Sequence, residues 1–182
     1  ASPFFLRARA VRITTLIILN LAIVLELSMS GTINARLKDL SITLPPATAP
    51  VANYVPVVRS GNLLFVSGQI CLADGKPVVG KLGNDVSVED GAAAARLCGL
   101  AIIAQVQKAL DGDLDRVQQI VKLTGFVNST GDFADQPKVI NGASDLMVEV
   151  FGDKGRHARA AVSAAALPLG VAVEIEAIVE VA

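Results

Sequence analysis

Near the end of the chain Val173, Ile175, Ala177, Val179 and Val181 alternate with Glu174, Glu176, Ile178 and Glu180. A strand sends successive side chains to opposite faces, so this pattern predicts a β-strand with one buried face. The Ala- and Val-rich run from Ala158 to Ala166 precedes it across Leu167-Pro168-Leu169-Gly170, and the two runs are expected to pair antiparallel. Earlier, Tyr54 to Arg59 and Leu63 to Ser67 flank Ser60-Gly61-Asn62, a hairpin signal. A shorter strand is expected around Pro77 to Val79, its proline confining it to an edge, and another over Val117 to Val127. Between the strands the period changes. Val88, Ala92, Ala95, Leu97, Ile102, Val106 and Ala109 recur at helical spacing behind Ser87, with Glu89 and Asp90 in the first turn and Gly112 past the end. A second helix carries Val139, Ala143, Leu146, Met147 and Val150 between Pro137 and Gly152. The order hairpin, helix, strand, helix, hairpin predicts an α+β domain with two helices packed on one face of a mostly antiparallel sheet.

The start of the chain has a different texture. Arg7, Arg9 and Arg12 precede an apolar run from Ile13 to Leu27, interrupted by Thr14, Thr15, Asn20 and Glu26. A basic stretch before an apolar one resembles a targeting segment, yet the run falls short of the roughly 20 residues of a spanning helix. A targeting segment, a packed helix, and translated sequence upstream of a start at Met29 all fit; the last is preferred, because Met29-Ser30-Gly31 opens a polar stretch. Residues 1–40 are accordingly set apart as an extension and 41–182 as the domain, entered through the proline-rich segment from Ile42 to Pro50.

Composition narrows the chemistry. With 182 residues, 52% hydrophobic but 4% aromatic, the chain supports one domain with an aliphatic core. Sixteen Lys and Arg against 17 Asp and Glu give a net charge of −1, which offers nucleic acid no electrostatic footprint. Cys71 and Cys98 form no CxxC and read as reduced core thiols. A single histidine, His157, argues against a histidine metal cage or a Ser-His-Asp triad. The polar candidates are Arg159 within an apolar strand, Glu174 and Glu176 on one strand face, Ser67 and Gly68 at a strand end, and Asn141 on the second helix. Each also has an ordinary account as a solvated side chain.

Three segments together change this picture. Gly61-Asn62-Leu63-Leu64-Phe65-Val66-Ser67-Gly68-Gln69, then Gly125-Phe126-Val127 with Asp132-Phe133, then Ala158-Arg159 through Leu167-Pro168 to Val173-Glu174-Ile175-Glu176-Ala177-Ile178 resemble the Rid/YjgF family in order and spacing. The resemblance runs from about Pro50 to Ala182. It implies a chorismate-mutase-like fold, a homotrimer with ligand clefts between subunits, and a cytoplasmic enzyme that hydrolyses 2-aminoacrylate and similar imines to 2-keto acids and ammonia. By position, Arg159 matches the arginine that grips the substrate carboxylate and Glu174 the glutamate that orients the attacking water. Tyr54, Ser67, Gly68 and Asn141 match residues lining the cleft, and the Ala161 carbonyl matches the group that holds the imine nitrogen. The implied reaction needs no cofactor or metal, and the implied partners are a small carboxylate substrate and other copies of the chain, with no nucleic acid and no membrane for the domain.

The match has departures. Ala160, Ala161 and Ser163 stand where the family often has other residues, and the second helix is longer, as in a subgroup labelled endoribonucleases. A conventional ribonuclease would want a general acid and base near pH 7 together with phosphate-binding cations, for which one histidine and a net negative charge are poor provision. A non-catalytic sensor of small carboxylates would use Arg159 in the same way, without turnover.

Overall fold

The computed structural model describes residues 32–47 and 53–182, so the basic and apolar segment before Met29 lies outside the described residues. The strands are β1 (Val57–Ser60), β2 (Leu63–Ile70), β3 (Leu72–Ala73), β4 (Lys76–Pro77), β5 (Val117–Asn128), β6 (Ala158–Ala164) and β7 (Val173–Val181). The helices are α1 (Thr32–Asp39), α2 (Val88–Ala109) and α3 (Gln136–Phe151). Five strands form one sheet in the order β1-β2-β7-β5-β6, and β3 with β4 makes a separate ribbon. That ribbon turns on Asp74 and Gly75, both at positive φ, which is the hairpin chemistry that Asp-Gly supplies at least cost.

The sheet is antiparallel except at one edge, where β6 runs parallel to β5 with Leu123 opposite Arg159. The expected antiparallel pairing of the last two strands therefore does not occur. Helix α3 returns the chain to the start of β5, so the strand that follows must run parallel to it. Leu167-Pro168-Leu169-Gly170 is not a hairpin turn either. It forms a short 3₁₀ turn with Leu169 at φ 56°, and the chain then crosses to the far side of β5, where Asn128 N–H donates to the Ala172 carbonyl. Strand β7 finally enters between β2 and β5.

Alternation on β7 sorts the two faces as its sequence predicts. Val173, Ile175, Ala177, Val179 and Val181 are buried, whereas Glu176 and Glu180 are exposed and Glu174 is half-buried. Helices α2 and α3 cover the inner face, packing close enough that a Cβ at Gly142 would fall 1.9 Å from the Ala92 carbonyl oxygen. Ser87 caps α2 by accepting from the Asp90 N–H, and Pro137 lies in the first turn of α3. Between the helices and the sheet lies an aliphatic core that includes Ile102, Leu123, Ile140, Leu146 and Ile175.

A third helix lies inside the stretch set apart as an extension. The Asp115 carboxylate accepts from Thr32 N–H, Thr32 hydroxyl and Ile33 N–H, closing the N-terminus of α1 from more than 80 positions away. Leu37 is buried and Arg36 Nε donates to the Glu149 carbonyl on α3. Helix α1 carries no sequence signal of its own, because its eight residues are too short to show a helical stripe and it is fixed by contacts distant in sequence.

Candidate active site

Register decides which candidate residues meet. Arg159 pairs with Leu123, and Leu123 with Ala177, both on the buried face, so Arg159 points to the helix side of the sheet. Its Nη1 donates to Asn141 Oδ1 at 2.8 Å and to Ser144 Oγ at 3.1 Å, both on α3. Ser144 Oγ lies 3.0 Å from His157 Nε2, and the ring's Nδ1 lies 2.6 Å from the Gly155 carbonyl oxygen. Ala161, two residues beyond Arg159, faces the same way opposite Gly125. Arg159, Asn141 and Ala161 thus gather where α3 overlies edge strand β6.

Glu174 belongs to a different group. It pairs with Phe126 and with Ile70, on the face away from the helices. Beside it, opposite Glu176, β2 carries a bulge: two residues, Ser67 and Gly68, sit between the pairs Val66–Ala177 and Gln69–Ile175, where β7 has Glu176 alone. The strand does not end at Ser67-Gly68-Gln69, as expected, but runs on to Ile70 through this irregularity. Bulges re-aim side chains. Here the bared backbone at Gly68 receives the Glu174 carboxylate, for a Cβ there would sit 2.0 Å from Oε1. Ser67 Oγ donates to the Val55 carbonyl at 2.8 Å and Ser67 N–H to the Pro56 carbonyl, tethering the segment that carries exposed Tyr54. Partial burial lifts the Glu174 carboxyl above the usual carboxylate range, and the neighbouring Glu176 charge adds to the rise.

The two groups do not converge within the chain. Arg159 and Glu174 are two strands and three residues apart, about 14 Å by ordinary strand spacing and rise, and they project from opposite faces. The chain therefore carries one cationic group, with Arg159, Asn141 and Ala161, and a separate acidic group, with Tyr54, Ser67, Gly68 and Glu174.

Residues 34–180 match the family described as YjgF/chorismate mutase-like, putative endoribonuclease. The chain belongs to this family. Within the YjgF family it is similar to protein TCP17 of Trypanosoma cruzi, with 53% identity over 153 residues that cover 83% of this chain and 95% of that one. Its fold is similar to that of Atu1372 from Agrobacterium tumefaciens, with 51% identity, a TM-score of 0.78, and coverage of 85% of this chain and 97% of the other. A structure of TdcF from E. coli with bound serine is a more distant likeness, at 27% identity and a TM-score of 0.50, covering 76% of this chain and 97% of that one. The α+β architecture, with its mostly antiparallel sheet, is the YjgF and chorismate-mutase-like one expected from the sequence. Among the described residues no helix is long and apolar enough to cross a membrane, and no group of three or more His, Cys, Asp or Glu is placed to hold a metal ion.

Ser144 was not named from the sequence, and His157 was weighed only as the single histidine, not as a neighbour of Arg159. Both were detectable: His157 shares strand parity with Arg159, and Ser144 follows Asn141 at i+3 on the same helix face.

Proposed function

We propose that the chain hydrolyses reactive 2-imino and 2-enamino acids to 2-keto acids and ammonia, in clefts where the Arg159 half-site of one copy meets the Glu174 half-site of another. The observation that carries this reading is the state of Arg159. Its guanidinium is anchored through Nη1 alone, and Nε and Nη2 have no protein partner among the described residues. An arginine held on one side and open on the other suits a planar carboxylate better than it suits a purely structural role. The TdcF structure supports the same ligand class, since serine carries a carboxylate beside a nitrogen-bearing carbon.

Chemistry at such a site is modest. The imine carbon is already electrophilic and mainly needs an anchored substrate and a positioned water. Water adds to the carbon of the protonated imine as one of its protons passes to the Glu174 carboxylate, giving a neutral tetrahedral carbinolamine. Glu174 then returns that proton to nitrogen, and as the C–N bond breaks the carbinolamine hydroxyl gives its proton to the departing ammonia, leaving the ketone, ammonium and the regenerated carboxylate. A carboxyl raised above its ordinary range is a stronger base than a solvated one, which suits this duty.

Separation of the half-sites favours assembly, and the proposed form is a homotrimer closed by a repeated heterologous contact. Val58, Phe65 and Val162 on the uncovered sheet face are 51%, 42% and 44% exposed, apolar area of the kind that subunit contacts bury. The reading places the protein in the cytoplasm, where unpaired Cys71 and Cys98 stay reduced. It is tested by generating the imine in situ and following keto-acid release, with light scattering to establish assembly. Arg159→Ala should remove turnover and pyruvate binding together, and Glu174→Gln should slow turnover roughly 10²-fold while pyruvate still binds. Wild-type hydrolysis by Arg159→Ala, or a monomer at micromolar concentration, refutes the proposal.

A further inference from the structure

With a neutral imidazole, the contacts of Arg159 form a chain with only one consistent direction. A carbonyl oxygen accepts and never donates, so the 2.6 Å contact between Gly155 O and His157 Nδ1 puts a proton on Nδ1. In the neutral ring Nε2 is then an acceptor, and its partner at 3.0 Å, the Ser144 hydroxyl, donates to it. With its hydrogen so directed, Ser144 Oγ is left to accept from Arg159 Nη1 at 3.1 Å. Gly155 is itself tightly placed, because a Cβ there would lie 2.1 Å from the Met147 carbonyl oxygen at the foot of α3. The sequence guanidinium, hydroxyl, imidazole, backbone thus ends on a fixed point.

We infer that Ser144 and His157 are positioning residues that hold Arg159 with its Nε–Nη2 edge toward the ligand, tuning the site for planar 2-oxo and 2-imino monocarboxylates met side-on. Both Nη1 hydrogens are engaged, one by Asn141 Oδ1 and one by Ser144 Oγ. The parallel pair of N–H donors that a carboxylate needs must therefore come from Nε and Nη2. Without the serine hydroxyl, Nη1 retains Asn141 but gains freedom to pivot about that single bond. Without the imidazole acceptor, the serine hydroxyl is free to turn its hydrogen toward the guanidinium. This inference rests on the proposed role of Arg159 as the carboxylate anchor, and the controls separate the two.

The experiment uses the assembled full chain and pyruvate as the probe, with calorimetric Kd values alongside steady-state kinetics on freshly generated 2-aminoacrylate. Ser144→Ala and His157→Phe should each raise the pyruvate Kd and the imine KM about tenfold, with kcat within roughly twofold of wild type. Ser144→Thr keeps the hydroxyl and should restore both values, a rescue that a mere packing role would not produce, given the extra methyl. Unchanged Kd in both variants, or a fall in kcat without a rise in Kd, overturns the inference. If Arg159→Ala loses pyruvate while Ser144→Ala and His157→Phe bind it normally, only the positioning role fails. If Arg159→Ala also binds pyruvate normally, the anchor itself is wrong and the positioning role falls with it.

Discussion

Gly68→Ala isolates what the bulge in β2 does for Glu174. The new methyl would begin 2.0 Å from Glu174 Oε1 and 2.9 Å from Cδ, whereas ordinary contact needs about 3.4 Å, so the carboxylate must retreat by more than 1 Å. Stability should change little. The obstructing atoms are the end of a flexible side chain, Gly68 is not at positive φ, and alanine in a strand gains about 0.5–1 kcal/mol over glycine. That gain offsets about 0.5–1.5 kcal/mol for pushing Glu174 off its preferred rotamer. The rate is another matter, because misplacing a reacting group by about 1 Å costs on the order of 10²-fold. The variant should melt within a few degrees of wild type, bind pyruvate, and hydrolyse imines roughly 10² more slowly. Turnover at the wild-type rate would show that the carboxylate over Gly68 is not the group that handles water.

Three other outcomes follow from the same structure. Because the folded Glu174 holds its proton more tightly than the unfolded one, its charge weakens the fold above its raised pKa, and that penalty fades as pH falls. Glu174→Gln should therefore melt higher than wild type at neutral pH, with the difference shrinking in acid, and wild-type activity should decline in acid at a higher pH than an ordinary glutamate would impose; a neutral or lowered melting point contradicts the assignment. Gly142→Ala drives a methyl into the Ala92 backbone rather than into a movable side chain, so urea unfolding should show a loss of about 3 kcal/mol or more.

Local pattern carried most of the architecture because period and capping are local properties. Both long helices begin and end near their signals, and β7 exposes and buries residues in the order its alternation requires. Pairing was less legible. Ala158 to Ala166 stands next to β7 in sequence, yet its ladder partner is β5, since that choice depends on the direction in which α3 delivers the chain. The site divides along similar lines. Arg159 and Glu174 have conspicuous chemistry, but their placement on opposite faces follows from register across three strands, which no spacing along one strand reveals. Helix α1 was hidden for a related reason: Asp115, the residue that caps it, is far away in the chain.

The central position of β7 has a consequence for biogenesis. It follows every strand that it joins, so while the chain is being made β2 and β5 have finished edges with nothing between them. Neither half can complete its ladder until the final strand arrives, and an unfilled slot between two apolar strands is a template for pairing with other chains. Synthesis would thus leave an aggregation-exposed intermediate whose lifetime is set by the emergence of Val173–Val181. A ribosome stalled before that strand would hold a chain whose secondary structure can form but whose sheet cannot close, a natural client for a chaperone that shields exposed strand edges.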